Sequence, residues 1–212
     1  MRWAFGQYSM VPMLAPWLTD KRPHLIAFEV RQPVLMPSDR QSDELDAMIW
    51  PTGDPSNAIV IEGKRLRVDG DTVVTHQIGG LSGIIEGAHQ VRAHVQRGFS
   101  RVYLAVFVEV DSRTYSGGHW IGGGLPWALS KQVIDSVETP LVDDEVGILV
   151  FEVDQPVDSD VLLSGGFGLR HSRVAPHRRQ PDELTNRVRQ FIDTIERPTV
   201  MPTTSAGLRA TS

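Results

Sequence analysis

The 212-residue chain has no cysteine. This absence excludes disulfides, thiolate nucleophiles, cysteine-ligated zinc and iron–sulfur clusters. Long apolar runs are also missing, since none approaches the roughly 18 residues that a membrane span needs. The N-terminus lacks the continuous apolar stretch of a signal peptide.

The formal net charge of the chain is small and negative, at -5. A nucleic-acid footprint needs a basic stripe, whereas the longest basic run here is His177–Arg179, which is typical of a solvated loop. We therefore expect no nucleic-acid partner. Lysine occurs only at Lys21, Lys64 and Lys131. Such a bias toward arginine is typical of a GC-rich genome or a halophilic source.

Residues 1–24 are rich in aromatic side chains and interrupted by proline. Trp3, Phe5, Tyr8 and Trp17 lie in this stretch. It is too apolar for a free tail and too broken for a long helix. We expect an N-terminal arm that lies along a neighbouring surface, either of the same chain or of another copy.

The region 25–175 has mostly the patterns of β-strands. Strands are predicted at 25–30, 58–62, 65–68, 72–77, 90–96, 101–110, 147–153, 161–163 and 167–169, and a short helix at 41–50. Arg101–Val110 is apolar at both odd and even positions, which predicts a strand at the centre of a sheet. Asp69-Gly70 predicts a hairpin turn.

Few helical patterns alternate with these strands. The sequence therefore predicts a mainly β fold, an immunoglobulin-like or jelly-roll-like β-sandwich, rather than a parallel α/β sheet. One amphipathic helix is predicted within 176–197, with Pro181 at its start. Its apolar stripe consists of Leu184, Val188, Phe191, Ile192 and Ile195. Residues 198–212 are predicted to form an extended tail.

Histidines offer weak candidates for a metal site. His89 and His94 are five residues apart, so on a strand they would point to opposite faces. His171 and His177 flank a loop and could converge with Asp182, but nothing in the spacing requires it. Solvated or hydrogen-bonded histidines are the favoured interpretation, so no metal and no cofactor are predicted.

Other catalytic signals are missing. There is no Gly-x-Ser-x-Gly elbow for a nucleophilic serine. The glycine runs at 117–118, 122–124 and 165–166 lack the lysine of a phosphate-binding loop. Asp143–Glu145 could ligate a hard cation, but it lacks the spacing of an EF-hand loop and is more typical of a solvated turn.

The segment Tyr115–Trp127 is the most distinctive part of the sequence. It places His119, Trp120 and Trp127 among glycines. Tryptophans on such loops are favoured interface anchors. Two interpretations are equally supported: the segment is an interaction surface, or its tryptophans fold back and close one end of the core.

Three stretches together resemble a known family. Val60–Val68, Arg101–Val110 and Asp143–Val153, with Asp111–Tyr115 between them, are similar to the immunoglobulin-like domains of the DUF4352 type found in haloarchaeal surface proteins. The resemblance covers about half of the chain. It departs from the family pattern at Gln155-Pro156, where proline usually follows valine directly, and in lacking a lipobox. It implies an immunoglobulin-like sandwich without a catalytic site.

These features predict a non-catalytic structural or interaction subunit of an extracellular, cell-surface or virion-like assembly. Its partners would be other copies of itself or other subunits. A monomeric β-sandwich module that binds a small ligand, such as a glycan or peptide, is the first alternative. A metal-dependent enzyme built on His171 and His177 is the second.

Overall fold

A computed structural model describes residues 24–30, 35, 44–75, 77–111, 125–140, 142–155, 167–195 and 199–201. The strands are β1 (His24–Val30), β2 (Leu45–Pro51), β3 (Ile59–Val68), β4 (Arg101–Asp111), β5 (Gly147–Gln155), β6 (Phe167–Arg173) and β7 (Thr199–Met201). The helices are α1 (Gly70–Thr75), α2 (Ser82–Arg97), α3 (Trp127–Val137) and α4 (Asp182–Thr194), with a 3₁₀ turn at Pro55–Asn57.

The seven strands form one sheet in the order β6-β5-β4-β3-β2-β1-β7. β1 pairs antiparallel with β2 and β7, β2 with β3, and β5 with β6. β4 and β5 are parallel. The prediction of a mainly β fold is confirmed only as a β-rich fold, because the described strands form one open mixed sheet with helices, not two packed sheets.

β3 and β4 are also parallel, as their side-chain pairs show. Arg65 contacts Glu109 and Arg67 contacts Asp111, each pair separated by 44 residues. In an antiparallel pair, the number of residues between paired positions changes along the strands. Here it is the same for both pairs, so the two strands run in the same direction. β3, β4 and β5 therefore form a parallel core that is connected through α2 and α3, the arrangement of consecutive βαβ units.

Both connecting helices pack on the same face of this core. A Cβ at Gly87 of α2 would lie 2.9 Å from the side chain of Leu104. The segment entering α3 binds Glu152, the register partner of Val108. Leu104 and Val108 share a face of β4 because side chains alternate along a strand. On the opposite face, the rings of Phe107 and Phe151 stack with centroids 5.2 Å apart.

Several predicted elements were wrong. The stretch 90–96 is part of α2, where Ile84, Ala88 and Val91 are buried at helical spacing. The predicted strand at 72–77 and hairpin turn at Asp69-Gly70 are replaced by α1. In the described part of the predicted helix at 41–50, residues 45–50 belong instead to β2, which pairs with strands on both sides. The strands predicted separately at 58–62 and 65–68 belong to one continuous strand, β3.

Other predictions were correct. The central strand 101–110 corresponds to β4, and the strands at 25–30, 147–153 and 167–169 correspond to β1, β5 and β6. The amphipathic C-terminal helix is α4, which buries Leu184, Val188 and Phe191. Within the predicted tail, residues 199–201 form β7, while the predicted strand at 161–163 lies outside the described residues.

The chain divides into two compact units. The first comprises residues 1–61, 94–102 and 177–212, and the second comprises 62–93 and 103–176. The first unit has α4 against β2, where Phe191 meets Trp50 edge-on at 6.4 Å. The second unit contains most of the parallel core and the elements described next.

Candidate functional site at the carboxyl ends of the parallel strands

Acidic residues lie near the carboxyl ends of the parallel strands, with Glu109 and Asp111 on one face of the sheet and Glu152 on the other. Asp69 follows β3, Glu109 and Asp111 end β4, and Glu152 lies near the end of β5. In open α/β sheets, ligands bind outside the carboxyl ends of parallel strands, because the loops that follow those strands meet there. We therefore take this edge as the candidate site.

Two of these carboxylates are paired with arginines of β3. Arg67 donates to Asp111 at 2.7 Å, and Arg65 donates to Glu109. Asp111 is buried, whereas both guanidinium groups are largely exposed. The pairs fix the end of β4 and present positive charge to solvent.

Glu152 is a buried acid in β5. Its side chain is 3% exposed although it lies in a strand of apolar residues. One carboxylate oxygen accepts a hydrogen bond from the backbone N–H of Leu125 at 2.5 Å. The other accepts from Nε of Arg170. A buried carboxylate requires such partners, because its desolvation is otherwise costly.

Arg170 reaches Glu152 because of a bulge in β6. Val150 pairs with His171 and Phe151 pairs with Leu169, so Arg170 is the extra residue. Bulges change the direction of a side chain and are common beside binding sites. Opposite Glu152 in the register is Gly168, where an added Cβ would meet no atom within 4 Å. Among the described residues, no atom occupies the place where a side chain at position 168 would begin.

Trp127 begins α3, two residues after Leu125. Its side chain is 73% exposed, the largest exposure of any large apolar residue described. The interpretation that this tryptophan closes the core is wrong, since it lies on the surface. α3 itself is held in place by Leu129, Val133 and Val137, which are buried. The hydrogen bond from Leu125 to Glu152 fixes the approach to the helix.

The other predicted interaction residues lie outside the described residues: Trp3, Phe5, Tyr8, Trp17, His119 and Trp120. Residue 24, predicted as the end of the arm, is already part of β1 and is buried. Glu152 and Arg170 were not predicted from the sequence as site residues. One signal was present, because Glu152 is a single acid within the apolar strand of residues 147–153.

The histidine candidates have different partners. His171 contacts Glu138 at 2.8 Å, while His177 contacts Asn57 at 2.8 Å. His94 is buried in α2 and contacts Arg97 at 3.1 Å, in agreement with the predicted hydrogen-bonded histidine, whereas His89 is exposed. Within the described part of the chain, no three histidine or acidic side chains are close enough together to hold a metal ion.

Two further aspartates, Asp143 in a turn and Asp69 at the start of a helix, accept local hydrogen bonds. Asp143 accepts a hydrogen bond from the backbone of Glu145, and the turn that contains them is solvated, as predicted. Asp69 caps α1, because its carboxylate accepts bonds from the backbone N–H and the hydroxyl of Thr72, each 2.9 Å long. These bonds lower the pKa of Asp69 below its ordinary value of 3.8, the backbone bond having the larger effect.

No protein-family model matches the chain, and no curated protein sequence is similar to it. Among the described helices, none is both long and apolar enough to cross a membrane.

Proposed function

We propose that the chain is a non-catalytic interaction subunit that associates with other copies of itself or with other subunits of an assembly. The exposed indole of Trp127 supports this most strongly. Tryptophan is enriched among the few residues that dominate interface energies. An extracellular, cell-surface or virion-like location, predicted from the sequence, is part of the same proposal.

The position of Trp127 favours binding because the side chain is presented from a rigid support. α3 buries one face, and the Glu152 carboxylate holds Leu125 just before it. A preorganised contact residue loses less conformational freedom on association. The exposed part of an indole, on the order of 150 Å², would contribute about 3 to 4 kcal/mol if buried.

The acidic residues near the carboxyl ends of the strands have a structural role more than a role in proton transfer. Glu109, Asp111 and Glu152 each contact an arginine. Such pairing fixes the positions of the carboxylates. This arrangement supports a binding role for the edge.

A finer assignment as an immunoglobulin-like or jelly-roll-like sandwich of the DUF4352 type is not needed for this proposal. It would require a second sheet, and all strands in the described ranges belong to one sheet. The association proposed here depends only on the surface at Trp127.

Light scattering over a concentration series tests the proposal. Wild-type protein should form dimers or larger species, and Trp127→Ala should weaken association about 30-fold, equivalent to about 2 kcal/mol. Ile85→Ala and Val174→Ala are matched controls, because each removes another exposed apolar side chain from the same unit. A wild-type protein that stays monomeric at every concentration would overturn association with other copies and leave only other subunits as partners.

A monomeric ligand-binding module is the second candidate, and the partly exposed guanidinium of Arg170, which Glu152 holds in place, favours it. In that case the protein is a monomer, and a glycan or peptide changes the tryptophan fluorescence. Trp127→Ala should then reduce the fluorescence change, while Val174→Ala leaves it unaltered.

A further inference from the structure

The outward face of α3 carries two opposite charges side by side. The buried residues of this helix are Leu129, Ser130, Val133 and Val137. Lys131 and Asp135 lie on the other side of the helix, one turn apart. Their side chains are 57% and 60% exposed. α3 therefore presents a positive and a negative charge next to each other in solvent.

The two charges form an ion pair within the helix. Nζ of Lys131 donates to both carboxylate oxygens of Asp135, at 2.8 and 2.6 Å. An ammonium group has several N–H donors, and each carboxylate oxygen accepts more than one bond. An exposed pair of this kind contributes little to the stability of its own chain. A second pair with the reverse arrangement can therefore bind beside it without breaking it.

A two-fold axis between copies decides which residues of α3 face each other. In such a pairing, residue i of one copy contacts residue j of the other, and j contacts i. If the two helices run parallel, Lys131 faces Lys131 and Asp135 faces Asp135, so like charges meet. If they run antiparallel with the axis at the level of Val133, Lys131 of each copy faces Asp135 of the other. Charge therefore favours one orientation and one register.

The rest of the outward face fits the antiparallel arrangement. Ala128 is exposed one turn before Lys131, and its small side chain does not hold a second helix at a distance. Trp127, which is 73% exposed, would lie opposite the residues that follow Val137 in the other copy. Each helix would also place its N-terminus next to the C-terminus of the other, which is favourable for the helix dipoles. Trp127 and the charge pair therefore belong to one surface.

We infer that α3 pairs antiparallel with α3 of a second copy of this chain, so that the ion pairs of both copies join into a ring of alternating charges. The inference rests on the self-association proposed above and gives its geometry. Each chain has a net charge of -5, so copies repel one another on average. Specific association therefore needs a local arrangement in which opposite charges meet.

Charge exchange at the two positions tests the pairing. Lys131→Glu and Asp135→Lys, each studied alone, replace the opposite-charge contacts between copies by like-charge contacts. By light scattering at low ionic strength, we expect each variant to self-associate about tenfold more weakly than wild type. An equimolar mixture of the two variants should associate about as tightly as wild type, because each variant is complementary to the other. The ion pair within the helix stays broken in the mixture, so the recovery measures the contact between copies.

A second ion pair provides the matched control. Glu183 and Arg187 of α4 are also one turn apart and contact each other at the surface. Glu183→Lys and Arg187→Glu should leave self-association unchanged, both alone and mixed. The double variant of Lys131→Glu with Asp135→Lys restores the pairs within and between copies, so it should associate like wild type.

The outcomes separate this inference from the proposed function. If wild type associates but the mixture is no tighter than either variant alone, the pairing through α3 is wrong. A weakening by Trp127→Ala would in that case still support association through the surface at Trp127. If each variant alone associates like wild type and the mixture associates more tightly than wild type, like residues face each other and the antiparallel arrangement is overturned. A monomeric wild type would overturn this inference together with association of copies.

Discussion

Glu152→Ala removes from β5 the carboxylate that accepts bonds from Leu125 and Arg170. The backbone N–H of Leu125 is buried and would lose its acceptor, which costs about 1 to 3 kcal/mol. Arg170 loses less, because its side chain is 41% exposed and water can replace the carboxylate. With the space left by the missing methylenes, we expect a total loss of about 2 to 4 kcal/mol in unfolding free energy.

Glu152→Gln separates the two contributions. The amide oxygen can still accept from Leu125, while the charge opposite Arg170 is lost. We therefore expect a smaller loss, about 1 kcal/mol. Asp135→Ala on α3 is the control, since both side chains of its ion pair with Lys131 are exposed, and it should cost less than about 1 kcal/mol.

Unfolding in urea followed by circular dichroism measures these differences. Amide hydrogen exchange at Leu125 provides a local measurement, because this amide should lose protection in Glu152→Ala and keep most of it in Glu152→Gln. If Glu152→Ala unfolds within about 0.5 kcal/mol of wild type and its Leu125 amide stays protected, the proposed role of Glu152 is refuted.

Two further predictions concern a glycine and a helix cap. Gly147→Ala should lower the unfolding free energy by about 1 to 3 kcal/mol, because a Cβ would overlap the Tyr103 ring and lie 2.7 Å from a backbone nitrogen. Gly168→Ala, where a Cβ meets no atom within 4 Å, should be nearly neutral in the same urea experiment. The lowered pKa of Asp69 means that its stabilising effect is full above its ordinary value of 3.8 and disappears as the pH falls through the lowered pKa. Asp69→Asn keeps a side-chain acceptor for Thr72, so it should remove this pH dependence with little change at neutral pH, as measured by unfolding at several pH values.

Strands and helices were predicted correctly from the sequence where the local pattern of apolar residues fits only one type of secondary structure. The two-sided apolar run of β4 is long enough to indicate a central strand, and the stripe of Leu184, Val188 and Phe191 repeats with helical spacing. The stretch 90–96 misled because Val91, Ala93 and Val95 alternate like a strand. Helical spacing becomes evident only when Ile84 and Ala88 are included.

The candidate site depended on contacts distant in sequence. Trp127 was selected from its glycine-rich surroundings, but sequence alone did not decide whether it lay in the core or on the surface. Glu152 was not predicted, because the role of an acid in an apolar strand becomes evident only when its hydrogen-bond partners are known. Arg170 reaches it through a bulge, which depends on strand pairing.

The sequence by itself therefore determined that the chain is β-rich, where its central strands lie and where its last long helix begins. These properties follow from side-chain periodicity and from the conformational limits of proline. Only the tertiary structure decided that β3, β4 and β5 run parallel, that α2 and α3 connect them, and that Glu152 accepts a bond from Leu125. Strand direction and such pairings depend on residues far apart in the chain, and no local pattern specifies them.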